Sequence, residues 1–186
     1  MTRVVLVRHC ESESNRAGPE SGGSNSPLSA RGRAQAEAVQ RGFDASLARG
    51  DASLRDAMLI SSHLTRAADT AAAIGAALGL EATHDPRLGA GETLIGRYDL
   101  DDPATLLVVG AEVLAALSER ADAGADPLIV VSHRYPIWAL LTVLYGARGT
   151  AIMDALNNLG NGDRLEFELV GGASPAEPVH QPLALA

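Results

Sequence analysis

Val4-Val5-Leu6-Val7-Arg8-His9-Cys10-Glu11-Ser12-Glu13-Ser14-Asn15-Arg16 passes from four apolar residues straight into an arginine-histidine pair. Four consecutive apolar β-formers bounded by polar residues read as a strand buried on both faces, as in parallel sheets. Arg8 and His9 then fall at its carboxyl end, where open α/β sheets hold their ligands. Two chemistries fit these letters. One makes His9 a nucleophile beside Arg8. The other makes Cys10 the nucleophile, followed by Arg16 in the Cys-x5-Arg spacing of cysteine phosphatases.

Apolar runs at 57–60 and 128–131 repeat the strand pattern, and each of the three runs is followed by helical periodicity. Ala36, Val39, Phe43 and Leu47 recur after the first. Leu64, Ala67, Ala71, Ile74 and Leu78 recur after the second, with Gly79 placed to end the helix. Ile137, Leu140, Leu141 and Leu144 follow the third, and Pro136 suits a first helical turn. A fourth helix is predicted over 103–121, with Leu106, Val109, Val113 and Leu117 on one face. Strands alternating with helices predict an α/β fold, a three-layer α/β/α sandwich with a mostly parallel central sheet. Leu165, Phe167 and Leu169 alternate with charged residues, as a strand buried on one face near the sheet edge does. Residues 1–170 are expected to form a single catalytic domain, and the Gly, Pro and Ala-rich 171–186 a flexible tail. Loops 11–28 and 89–102 are expected over the carboxyl ends of the strands.

The chain of 186 residues carries a formal net charge of −8, and all its basic residues are arginines scattered singly. No basic tract is present to follow a nucleic-acid backbone or an anionic membrane, so any bound anion must be held locally. The apolar stretch 137–145 is shorter than the about 20 residues that span a bilayer, and no signal-like N-terminal segment is read. The single cysteine, Cys10, permits no internal disulfide and suits a reducing cytoplasm. The histidines lack the spacing of zinc helices, and no calcium loop is present, so no metal or other cofactor is expected.

If the strands are as read, three carboxyl ends converge. They carry Arg8 and His9; Ser61, Ser62, His63 and Arg66; and Ser132, His133 and Arg134. Arginine forks and helix N-termini together suit a phosphoryl group. The expected partner is therefore a small phosphorylated substrate, with neither nucleic acid nor membrane, while a homodimer is left open. The opening Arg8-His9-Cys10-Glu11-Ser12, then Asn15, then Pro27-Leu28-Ser29 with Gly32 and Gln35, Ser61-Ser62-His63-Leu64-Thr65-Arg66 with Thr70, and Ser132-His133 resemble the motifs of the histidine phosphatase superfamily, the phosphoglycerate-mutase-like enzymes. The resemblance extends from the first strand to about Leu169. It implies a phosphoglycerate-mutase-like fold, His9 as the nucleophile that forms a phosphohistidine, and Arg8, Arg66 and His133 as the grip on the phosphoryl oxygens. It further implies that Asn15 and the backbone near Gly22 line the pocket, and that the activity is metal-independent hydrolysis of a phosphomonoester.

The chain departs from the family pattern in three places. Cys10 stands where the motif has glycine. Ala90 occupies the position of the family's general-acid glutamate, and Glu92 is the nearest carboxylate that could replace it, with His63 and Asp85 as further candidates. Arg134 and Tyr135 follow His133 where the family favours glycine, and Arg134 is a candidate substrate contact. Against the cysteine mechanism, Glu11 and Glu13 would bring carboxylates towards a dianion, and no glycine lies between Cys10 and Arg16. Its only candidate acid is Asp102. The short segment between Leu88 and Pro103 favours a phosphatase over a phosphomutase. A non-catalytic phosphate-ligand binder is the reading from a different class.

Overall fold

The computed structural model describes residues 1–17, 25–89, 102–155, 159–173 and 176–184. Its sheet has six strands: β1 (Thr2–Arg8), β2 (Met58–Ser61), β3 (Thr83–His84), β4 (Leu128–Ser132), β5 (Arg164–Leu169) and β6 (Val179–Gln181). They lie in the order β3-β2-β4-β1-β5-β6. The first four are mutually parallel, β5 runs antiparallel to β1, and β6 antiparallel to β5. Among the described residues six α-helices accompany them: α1 (Glu13–Ala17), α2 (Ala30–Ala48), α3 (Thr65–Leu78), α4 (Pro103–Asp122), α5 (Arg134–Tyr145) and α6 (Ala147–Ala155). The three apolar runs are the central strands, as their residues predict.

Alternation along those strands divides the core into two. Val5, Val7, Leu59, Ile129 and Val131 pack with Val39 and Phe43 of α2 and Ala71 and Ile74 of α3. Val4, Leu6, Ile60, Leu128 and Val130 pack with Val113 and Leu117 of α4 and Ile137 and Leu140 of α5. Three layers result because each strand residue has an apolar partner on whichever face it points to. Gly79 ends α3 as expected, with φ 74° and its N–H donating to the Gly75 carbonyl at 2.8 Å. Asp102 is the N-cap of α4, accepting from the Ala104 N–H at 3.1 Å, with Pro103 in the first turn.

Composition misled at the C-terminal end. Where a tail was expected beyond Gly171, residues 179–181 add strand β6 outside β5. Asp163 accounts for this: its carboxylate accepts from the Leu183 N–H at 2.8 Å and pairs with His180 Nε2 at 3.0 Å. Periodicity also missed α1, α6 and the two-residue β3, which are too short or too irregular to show a period. No helix among the described residues is long and apolar enough to cross a membrane.

Candidate functional site

Sheet register brings the strand ends level. Arg8 lies opposite Ser132, and Ser61 opposite Val131. One residue on, the His9 N–H donates to the Ser132 carbonyl at 2.9 Å and the Ser62 N–H to the Val131 carbonyl at 2.9 Å. Helix α5 then starts directly after His133, and α3 starts three residues after Ser62, so two helix N-termini open at the same end of the sheet. The positive ends of their dipoles favour an anion there.

At this end the rings of His9 and His133 lie 4.7 Å apart between centroids, tilted by 55°. Both are buried, at 3% and 0% exposure, and so is Arg66 at 2%. His9 Nδ1 sits 2.7 Å from its neighbour's carbonyl, Cys10 O. A carbonyl can only accept, so Nδ1 carries the proton and Nε2 keeps its lone pair. Burial lowers the His9 pKa to about 3, against its carbonyl bond and with help from the Arg66 and Arg8 guanidiniums. His133 is held well below the ordinary histidine value, first by burial and then by His9, Arg66, Arg8 and His63. Neither ring nitrogen of His133 meets a hydrogen-bond partner among the described residues. Two neutral imidazoles therefore face each other within the field of two arginines.

The backbone around His9 is fixed from three sides. Thr70 of α3 accepts from the Cys10 N–H at 3.0 Å and donates to the Arg66 carbonyl at 2.7 Å, tying the histidine loop to the helix that carries Arg66. From α2, Gln35 accepts from the Glu11 N–H at 2.7 Å, while the Ser29 hydroxyl donates to the Glu11 carboxylate at 2.6 Å. Gly32 makes this contact possible. A Cβ there would lie 1.8 Å from the Glu11 carbonyl oxygen, so any side chain would push the loop away. The third clamp is the turn before β5. Asn161 Nδ2 donates to the His9 carbonyl at 2.9 Å, and Gly162 N–H to the Arg8 carbonyl at 3.0 Å. The Asp163 carbonyl accepts from Arg8 N–H, and Arg8 Nη1 donates to the Leu159 carbonyl.

Of the residues singled out by sequence, Arg8, His9, Arg66 and His133 are brought together. Asn15 stands exposed beside them, its side-chain oxygen accepting from the Ser12 N–H at 3.1 Å and the Asn161 amide at 3.5 Å. Arg134 is exposed at the start of α5, while Tyr135 turns into the core edge-on to Trp138. Glu92 and Gly22 lie outside the described residues. Asp85 does not fit a general acid. It is 4% exposed, salt-bridged to Arg87 at 2.7 Å and Arg120 at 2.9 Å, and the Arg87 bond holds its pKa below the usual carboxylate range. Ser61 and Ser132 are occupied structurally, Ser61 with His84 Nδ1 at 2.8 Å and Ser132 donating to the Leu88 carbonyl at 2.7 Å.

Cys10 is fully buried in the core beneath α2 and α3, and burial pushes its thiol up to about 11. A buried thiol that resists ionisation is a poor nucleophile. Arg16 lies in α1, mostly exposed and 3.4 Å from Glu13. The phosphate-cradling geometry of a cysteine phosphatase is therefore missing here. Asp102, that mechanism's candidate acid, is occupied in capping α4. Sequence reasoning missed Asn161 and Asp163, whose only signal was an ordinary turn composition, Gly160-Asn161-Gly162-Asp163.

A sequence profile of the histidine phosphatase superfamily (branch 1) matches residues 4–99, more than half of the chain, and the protein belongs to that superfamily. No curated protein matches the sequence significantly. Among solved structures, mycobacterial glucosyl-3-phosphoglycerate phosphatase in complex with VO3 is 21% identical, with a TM-score of 0.73 over 99% of this chain and 100% of that one. A mutant of phosphoserine phosphatase from Entamoeba histolytica, in complex with phosphoserine, is 22% identical, with a TM-score of 0.61 over 97% of this chain and 95% of that one. Bacillus stearothermophilus YhfR is 19% identical, with a TM-score of 0.67 over 94% of each chain. At such identities the shared property is the fold.

Proposed function

We propose that this protein is a metal-independent phosphatase that hydrolyses a small phosphomonoester through a phosphohistidine on His9. The observation that carries this reading is the buried His9 imidazole, whose Nδ1 proton is held by the Cys10 carbonyl so that Nε2 offers a lone pair at neutral pH. Nε2 forms the N–P bond as the bond from phosphorus to the leaving oxygen breaks. Arg8, Arg66 and His133 hold the non-bridging oxygens and balance the charge that spreads over them in the transition state. A buried imidazole with unpaired nitrogens is costly, and a phosphoryl oxygen is a fitting partner for His133. The proton for the leaving oxygen comes from Glu92, with the exposed His63 as the alternative donor. Water then attacks phosphorus, gives its proton to the same group and releases phosphate, regenerating neutral His9.

Asn15 and Arg134, exposed near the site, suit contacts to the leaving group. The superfamily match and the phosphatase neighbours support hydrolysis over a phosphomutase or a passive binder. A cytoplasmic location is the reading that a single buried thiol supports. Turnover of an aryl phosphate by wild type, His9→Ala and Cys10→Ser tests the assignment. Activity should vanish in the first variant and persist in the second. Undiminished turnover in folded His9→Ala would remove the histidine mechanism, and absence of turnover in wild type across aryl and sugar phosphates would favour the binder.

A further inference from the structure

Between α2 and the β5–β6 edge lies a cavity of about 300 Å³, lined by none of Arg8, His9, Arg66 or His133. Its floor is apolar, with Val39 and Phe43 almost fully buried and Leu183 half-buried. Arg41 from α2, Arg49 at its C-cap and Arg164 from β5 also line it, and no carboxylate side chain does so among the described residues. Three arginines on one small concavity stand out in a chain of net charge −8, with Arg49 Nη2 donating to Ser46 Oγ at 3.1 Å. We propose that this cavity is a second binding site, for a small organic molecule that carries an oxyanion, phosphonate-like or carboxylate, on a compact apolar body.

Size, shape and charge each bear on the ligand. The volume lies at the lower end of the range of small-molecule pockets, roughly 300–1,000 Å³, which suits one ring with its charged substituent. Arg164 is stacked over the Phe43 ring, its guanidinium carbon 5.4 Å from the centroid, and its Nε meets Gln181 and Glu166. That arrangement fixes the guanidinium at one edge of the site, ready for two oxygens of an oxyanion. Burial lowers the Arg164 pKa, and the neighbouring Arg3 and Arg49 charges act in the same direction, against the carboxylates of Glu166 and Asp51. A bound anion eases that crowding of like charge. Beside it, a Cβ built on Gly42 meets nothing within 4 Å, so the α2 wall leaves room for the ligand body. The cavity backs onto Gly162, whose N–H holds the Arg8 carbonyl, so the site adjoins the catalytic strand from behind without sharing its groups.

The test is a 15N–1H chemical-shift titration of the protein with phenylphosphonate, which cannot be hydrolysed. Shifts should appear at the Gly42, Gly162 and Leu183 amides and saturate with a Kd of about 1 mM or tighter. Arg41→Gln/Arg49→Gln, both at exposed positions, should weaken these shifts by about tenfold or more, and Ala45→Leu, which narrows the cavity and leaves its charge, should weaken them too. Benzyl alcohol should leave the three amides unmoved, and inorganic phosphate should bind more weakly than phenylphosphonate. Shifts confined to residues around His9 and His133, or equal affinity in the arginine variant, would overturn the proposal. So would inorganic phosphate binding as tightly as phenylphosphonate, the mark of an adventitious ion only.

Discussion

Acid should destabilise this fold through its two buried histidines well before its carboxylates titrate. In the unfolded chain His9 titrates near 6.5, whereas in the folded protein burial lowers it to about 3. The folded-state value is the depressed one. The contribution of neutral His9 is therefore complete above the unfolded value and is lost as pH falls towards about 3, because the unfolded chain takes up a proton that the folded one refuses. At about 1.4 kcal/mol per pH unit, lowering the pH from about 7 to about 5 costs about 2 kcal/mol for His9. His133, displaced in the same direction by its burial, adds to that loss. Urea unfolding followed by circular dichroism at the two pH values measures the loss. In His9→Asn, a neutral side chain that still offers an N–H to the Cys10 carbonyl, the pH-dependent loss should shrink by about 2 kcal/mol. Equal pH dependence in wild type and His9→Asn would refute the assignment of a neutral buried imidazole.

Thr70→Val keeps shape but removes the acceptor of the Cys10 N–H, so kcat should fall about tenfold with KM little changed, and Thr70→Ser should restore it; an unchanged kcat would show that this tie does not position His9. Gly32→Ala places a Cβ 1.8 Å from the Glu11 carbonyl oxygen, so thermal unfolding should report a loss of about 2 kcal/mol or more, accompanied by reduced kcat/KM. Asp85→Asn should cost about 1 kcal/mol in stability by weakening its buried pairs with Arg87 and Arg120, both of which keep Glu119, yet leave the kcat for an alkyl phosphate intact; a selective loss with poor leaving groups would restore Asp85 as the acid.

The central sheet was legible because β1 and β4 bury both faces, leaving uninterrupted apolar runs, and β5 was legible because it alternates. Its outer neighbour β6 was not. Val179-His180-Gln181 has no periodicity of its own and exists as a strand because β5 offers an open edge and Asp163 anchors the following residues. At the site, residues at the strand ends could be read from position, since a strand's direction says which end holds the ligand. The clamps could not. Asn161 is 152 positions from His9, and only the antiparallel pairing of β5 with β1 places its amide on the histidine carbonyl. Likewise Gly32 and Gln35 appear in the sequence as a motif, while their reason, a helix drawn against the Glu11 backbone, is a matter of tertiary contact. Asp85 misled for the converse reason. A carboxylate in a loop near the site looks like an acid until its two arginines are seen.

The central claim is that the phosphoryl group passes through His9, and the most direct measurement is to quench the enzyme during turnover of a 32P-labelled phosphomonoester and map the label. The account predicts a phosphoenzyme that is stable in alkali and labile in acid, as a phosphoramidate is, with the label on the peptide that contains His9. Label on Cys10, or turnover with oxygen exchange at phosphorus but no phosphohistidine under any quench, would contradict it.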